Sequence, residues 1–402
     1  MRIANQLQDA DSGPALFNSE SVYHNVFRSG LNLISFIMRH SLFYGIIRLK
    51  YLQECLRRYP RVFRAFSDAA NEPLKRWTFT VSPFIKISCH VHCDVSVQPL
   101  DAHAFPGADR VFVSVHGRSG DDVTALDTVR VHYDDQSEEL QVVIDEAISN
   151  LSVELTTPIK SDLHVVSHGN GSVRIQNMES DLCQVQTERG HCILQSLKSH
   201  KVQVSSSGGN ITGMGTIHGD VEIITAGHSR VDIKKIQGTS MNMSTEHGPL
   251  NVKTIYAESS AVASSSGKIH IGHLHGEARV RSDTGDIIID SSSGVLTAHT
   301  NTGNVDAYVS QIGTAELHSQ QGIVRVRVPS TLKAWVQLCG TTVDASSEIA
   351  QETQIQSSDG KTVLTGPLNG GTQEDCWISA TADRGVVSIK TQSWFETLKL
   401  ER

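Results

Sequence analysis

The chain has 402 residues, and 35 Lys+Arg against 43 Asp+Glu leave a formal charge of -8. That length allows two domains or one elongated repeat domain, and 39 % hydrophobic with 19 % charged residues excludes a wholly disordered chain. Only 5 % aromatic residues beside 31 Gly is thin material for a large enzyme core and favours packing by small and β-branched side chains.

The N-terminal stretch carries an uneven charge. Between residues 21 and 67 stand Arg28, Arg39, Arg48, Lys50, Arg57, Arg58, Arg61 and Arg64 against one acid, Glu54. Leu33, Phe36, Ile37, Leu42, Phe43, Ile46 and Ile47 concentrate in the same segment, cut by Asn32, Arg39 and His40. No run approaches the roughly 20 uninterrupted apolar residues of a spanning helix, so no transmembrane span is expected. The pattern predicts a basic amphipathic leader over 1–67, helical and short. Initiation at Met38 would make it Arg-rich and acid-poor, as mitochondrial presequences are, with Arg64-Ala65-Phe66 before Ser67 in the manner of a processing site. Mitochondrial import is the expectation, with a cytoplasmic protein as the alternative.

Residues 75–155 read as β in character but irregular. The alternating runs Trp77 to Ile87, Cys89 to Val97, Val111 to His116, Val129 to Tyr133 and Leu140 to Ile144 are broken at Pro99, Pro106, Gly107 and residues 117–122. This region is either an N-terminal cap or the first irregular coils of one β-domain.

From about residue 160 the chain repeats. Gly recurs at 171, 190, 209, 227, 248, 267, 285, 303 and 322, close to every nineteen residues. Such self-similarity marks a solenoid, whose units cannot bury their apolar faces alone. Five residues before the Gly stand Val166, Val185, Val204, Met243, Val262, Val280, Ala298 and Leu317; two after it stand Val173, Cys192, Ile211, Leu250, Ile269, Ile287, Val305 and Val324. Four after it the side chain is again apolar, as a strand with one buried face requires. A third apolar column, Met178, Leu197, Ile255 and Leu274, follows at seven. Ser-Ser-Ser-Gly, Asp-Thr-Gly-Asp and Asn-Thr-Gly-Asn supply the turns.

The register continues through Gly360, with Ile355 before it and Leu364 after it, and through Gly385, with Ala380, Val387 and Ile389. The expected fold is therefore an all-β, single-chain β-solenoid over 160–392, of roughly eleven coils and on the order of 50 Å at about 4.8 Å per coil. Residues 393–402, with Trp394, Phe395, Leu398 and Leu400, are read as its C-terminal cap.

The tandem units SSSGKIHI, SDTGDIII, TNTGNVDA and SQQGIVRV resemble the adhesin-like β-repeat domain family of unknown function over residues 160–392. The leader followed by this domain is similar to the vertebrate group called "family with sequence similarity 185". The resemblance brings no catalytic residues with it and implies surface adhesion of the bacterial kind.

Chemistry is sparse. Stacking one coil away sets Asp286 beside Lys268 and Asn304, Asp283 beside Ser265 and Asn301, and Asp306 beside His270 or Ile288, so no second carboxylate is expected beside a first and no acid–base pair is built. Cys89-His90-Val91-His92-Cys93 suggests a metal, yet on a strand His90 and His92 face one side while Cys89 and Cys93 face the other. A two-His site would have to be completed from elsewhere, for example by His270, His273 or His275. Seven cysteines without a CxxC pair are expected to be reduced and buried rather than a disulfide framework. The sequons at Asn150, Asn170, Asn210 and Asn242 match by composition.

No GxSxG elbow is present, and Gly213-Met214-Gly215 and Gly169-Asn170-Gly171 lack the third glycine and the βαβ setting of dinucleotide loops. The acidic repeat disfavours nucleic acid. Thus no catalytic, cofactor-binding or metal-ligating residue is assigned and no cofactor is expected. A non-enzymatic binding scaffold for a protein or glycan partner is the leading reading. A carbohydrate-active or metal-dependent enzyme on a β-helix is the alternative.

Overall fold

The computed structural model describes residues 72–117, 127–146, 151–310, 313–358, 360–372 and 376–392. The chain divides into Met1–Glu72 and Pro73–Arg402, and the second unit is described by itself. The expected leader over 1–67 and the expected C-terminal cap with Trp394, Phe395, Leu398 and Leu400 lie outside the described residues.

Period-two alternation makes this unit almost wholly strand, and the nineteen-residue repeat stacks the strands in parallel. Cys192–Ser206, Ile211–Thr225, Val231–Thr245, Leu250–Ser264 and Ile269–Ser282 lie side by side, each paired to the next. Within a coil the chain runs along a post-turn face, bends at a corner, returns along a pre-turn face and reaches the next Gly turn. Cys192, Ile211, Val231, Leu250, Ile269 and Ile287 are successive partners on the post-turn face, and all are buried. Val204, Ile223, Met243, Val262, Val280 and Ala298 do the same on the pre-turn face. Leu197, Ile217, Ile236, Ile255 and Leu274 fill the corner between them. These columns form one continuous aliphatic interior, in which each fully buried Val, Leu or Ile contributes roughly 1.5–3 kcal/mol of transfer free energy. The expected β-solenoid is thus the observed architecture.

Glycine is required at the turn by contact between coils. A Cβ built on Gly209 would stand 1.8 Å from the Gly190 carbonyl oxygen, a distance no side chain tolerates. Three residues earlier a hydroxyl satisfies the turn: the Gly209 amide donates to Ser206 Oγ at 3.0 Å, and Gly267 and Gly285 donate at 2.8 Å to Ser264 and Ser282. These serines are buried, which explains why the repeat keeps Ser or Thr at that position.

Three register assignments are corrected. In the coil assigned to Gly227, the column position is held by Ser229, whose carbonyl faces Gly248; Gly227 sits in an enlarged turn at φ +63, as an added residue there demands. The turn before Gly171 is enlarged in the same way, with Gly169 at φ +65, so Val165 rather than Val166 partners Val185. Gly360 closes an antiparallel hairpin between Gln354–Ser358 and Lys361–Leu368 instead of a coil. The bond pattern of a hairpin and of a coil both allow Ile355 opposite Leu364, so spacing alone does not separate them.

Both ends depart from chain order. Lys86–Val91 pairs in parallel with Asp162–Ser167 on one side and Glu139–Ile144 on the other, so the earlier coil lies inside the later one. At the other end Trp377–Ala382 lies between Thr314–Gln321 and Ala334–Gly340. Antiparallel strands then cover the outer coils: Arg110–His116 on Ser152–Thr157 with Lys75–Thr80 beyond it, Val129–Asp134 on Glu139–Ile144, and Lys361–Leu368 on Ala334–Gly340. Such covering limits the parallel edge a solenoid would otherwise expose. Residues 75–155 therefore supply both coils and covering strands of the same sheet. A short helix, Ser347–Glu352, follows Thr342–Ala345. Among the described residues no helix is long and apolar enough to cross a membrane.

Candidate functional site

The outward side chains of the post-turn face form ladders, because every second residue of each coil points away from the core. At three residues past the turn these are Thr212, Asp232, Asn251, His270, Ile288 and Asp306 in successive coils. At five past the turn they are Lys234, Lys253, Gly272, Asp290, Tyr308 and Arg327. Ile233 and Lys235 partner Val252 and Thr254, which sets Lys234 beside Lys253; Val252 and Thr254 partner Ile271 and His273, which sets Lys253 beside Gly272. Lacking a side chain, Gly272 opens the second ladder. Its backbone packs so closely that an added Cβ would lie 2.4 Å from the Lys253 carbonyl oxygen.

A groove of about 770 Å³ follows this gap, lined among others by Asp232, Lys234, Lys253, His270, Asp290 and Arg327. Its carboxylates are engaged. His270 Nε2 lies 2.7 Å from Asp290 Oδ2. Arg327 Nε donates to Asp306 Oδ1 at 2.7 Å, and its other nitrogens reach the Ile289 carbonyl at 3.3 Å and Gln392 Oε1 at 3.4 Å. Asp232 accepts from Asn251 Nδ2 at 2.9 Å and pairs with Arg230. Tyr308 is buried between these rungs, and burial raises its phenol above the usual value.

The predicted acid contacts are present in part. Asp286 accepts from the Asn304 amide nitrogen at 2.7 Å and from its side chain at 3.2 Å, and Asn301 reaches Asp283 at 3.4 Å. Asp306 faces Ile288 across the rungs. The bonds His270–Asp290 and Asp306–Arg327 were not anticipated. They are diagonal contacts between neighbouring coils, and a tally of directly opposite positions passes over them.

Cys89 and Cys93 face the core while His90 and His92 face outward. The histidines meet other histidines: His90 lies edge-on to His164 at 5.2 Å, and His92 stacks on His168 at 4.9 Å. His270, His273 and His275 lie on Ile269–Ser282, in a different coil, and do not approach them as ligands. Among the described residues no group of three or more His, Cys, Asp or Glu is placed to hold a metal ion. Burial pushes the Cys93 and Cys183 thiols up to about 12, with Asp94 and Asp162 adding to it, and raises Cys89 and Cys192 further. Thiols so held are poor nucleophiles.

A second depression, about 630 Å³, opens at the corner beside Phe84, Lys160, Glu179, Lys198 and His200. Phe84 is 62 % exposed, with the Lys160 ammonium 5.4 Å above its ring. Along the same corner Tyr256 and His275 stack at 4.2 Å, and Lys235 stands 5.2 Å from the tyrosine ring.

An all-β solenoid with outward polar ladders is the class this architecture defines. Residues 198–367 match the sequence profile of the family described as Toastrack DUF4097, a description that names a shape and no activity. Among solved structures, one from Parabacteroides merdae described as a "putative adhesin" aligns over 79 % of this chain and 96 % of its own, with 12 % identity and a TM-score of 0.32. Another so described, from Bacteroides fragilis, aligns over the same shares with 15 % identity and a TM-score of 0.25.

Proposed function

We propose that this protein is a non-enzymatic, adhesin-like binding scaffold, which holds a partner against the outward ladders of its post-turn face. The observation that carries the reading is the groove beside Gly272, in which Asp290, Asp306 and Arg327 are held by bonds between coils. A continuous aliphatic interior keeps those side chains at one spacing, so a partner is read by position along the stack, as in other repeat proteins. The experiment is cross-linking of the full chain to captured partners, followed by mapping of the linked residues. Links concentrated around Lys234, Lys253 and Lys268 support the reading; links confined to the pre-turn face overturn it.

We also propose mitochondrial import, supported by the Arg-rich, acid-poor stretch 38–67. Full chain carrying a C-terminal fluorescent tag should accumulate in mitochondria and lose that location when Arg57, Arg58, Arg61 and Arg64 are replaced by Gln. Diffuse signal from the unaltered chain removes the import reading.

A further inference from the structure

The charges lining the groove are unequally compensated. Asp232, Asp290 and Asp306 each hold a cationic or amide neighbour. Lys234 and Lys253 are exposed, adjacent in register and without an ion-pair partner among the described residues. Like charges on directly neighbouring strands are destabilising, and at a rung spacing of about 4.8 Å one carboxylate fits between the two ammonium groups and relieves their repulsion. The uncompensated charge of the groove is therefore positive at this end.

The other end is different. His270 occupies one oxygen of Asp290 and Arg327 one oxygen of Asp306, leaving the second oxygen of each without a partner among the described residues. Those oxygens accept hydrogen bonds and repel a second anion. A uniform polyanion such as a nucleic acid or polyphosphate would meet attraction at the lysines and repulsion two rungs later. The distance between the two ends, from midway between Lys234 and Lys253 to Asp290, is two and a half rungs, about 12 Å. Three residues of extended chain at about 3.3 Å each cover about 10 Å of it, and the reach of the side chains supplies the rest. Between them the Gly272 gap and the half-buried Ile288 side chain offer room and an apolar surface.

We propose that the groove binds an extended segment of a partner protein that carries an acidic side chain and, three residues on, a basic one. The acid lies between Lys234 and Lys253, and the base donates to Asp290 and Asp306. This inference rests on the scaffold reading and names the chemistry of the partner.

The test uses the full chain and the fluorescein-labelled peptide Glu-Val-Thr-Lys, acetylated and amidated at its ends, followed by fluorescence polarisation at low and physiological salt. Saturable binding is expected, weakening with salt, falling at least fivefold for Gln-Val-Thr-Lys and for the Lys234→Gln/Lys253→Gln chain, and unchanged for Lys198→Gln. Circular dichroism of the double variant should match the parent, since both side chains are exposed. Absence of binding at millimolar peptide overturns the proposal, as does binding that ignores the double substitution. Tighter lysine-dependent binding of polyphosphate, or of maltohexaose, assigns the groove to another ligand class and overturns it too. None of these results touches the scaffold reading, which is judged by where captured partners cross-link.

Discussion

Two adjacent glycines offer a sharp test of the coil geometry. Gly208 and Gly209 follow each other in one turn, yet a Cβ on Gly208 would meet its nearest atom, the Glu188 carbonyl oxygen, at 3.4 Å, whereas one on Gly209 would stand 1.8 Å from the Gly190 carbonyl oxygen. The first is close to ordinary contact. The second requires the two coils to separate by more than 1 Å, which stretches the bonds between them, Cys192 N to the Asn210 carbonyl at 2.8 Å, Ser207 N to the Thr187 carbonyl at 3.0 Å and Asn210 N to His191 Nδ1 at 3.2 Å, beyond useful length. Two or three lost hydrogen bonds at about 1 kcal/mol each, with overpacking strain of about 1–3 kcal/mol, place Gly209→Ala at roughly 3–6 kcal/mol of destabilisation. Gly208→Ala should be neutral, or stabilising by about 0.4–1 kcal/mol through the unfolded chain. Urea titration by circular dichroism, with the two variants compared at equal slope, measures the difference. Equal midpoints for the two variants would refute contact between coils as the reason for the glycine column.

Three further outcomes follow from the same fold. Burial, His318 and Arg281 lower the His299 imidazole below its ordinary value, and burial with His164 and His168 lowers His90; the folded state thus favours neutral rings, so this stability is present above about pH 6.5 and is lost as pH falls below it. Melting temperature should drop between pH 7 and 5.5, and the slope should shrink in His299→Gln; a rise over that interval contradicts the assignment. Cys339 is half-buried while Cys89, Cys93, Cys183, Cys192 and Cys376 are buried, so brief native N-ethylmaleimide treatment with peptide mapping should label Cys339 before those five. Glu246 accepts the Gly227 amide of the preceding coil at 2.7 Å, as Glu188 accepts that of Gly169 at 2.8 Å; Glu246→Ala should speed hydrogen exchange at Gly227 and leave Gly169 unchanged.

The architecture was readable because it depends on positions that repeat. Val262, Val280 and Ala298 share one spacing from their turns and are neighbours in the stack, and Ser264 and Ser282 bond the turn amides that follow them. The ends were not readable. The Lys86–Val91 coil lies inside the Glu139–Ile144 coil, and chain order carries no sign of that reversal, because each strand satisfies the same alternation wherever it is inserted. Gly360 illustrates the same limit, since a hairpin and a coil both place a glycine in the turn between two strands.

The groove escaped detection for a related reason, and one residue accounts for much of it. Counting from Gly227 places Asp232 five residues past the turn and Lys234 seven past it, at the corner; counting from Ser229, which occupies the column, moves Lys234 to five past and beside Lys253. The enlarged turn hides the lysine pair from any reading that trusts glycine alone as the marker. A second signal was present, in that Val231 and Ile233 keep the two-residue alternation of Leu250 and Val252 only if the coil starts at Ser229. Apolar periodicity is the safer guide to register in such repeats, because it is enforced by the whole interior, whereas the turn needs a residue able to approach its neighbour, glycine in the regular turns and Ser229 in the enlarged one. Ser229 meets that need with its hydroxyl bonded to the Ala226 carbonyl at 2.9 Å, and so the coil keeps its place in the stack while the lysine ladder of the groove stays in line.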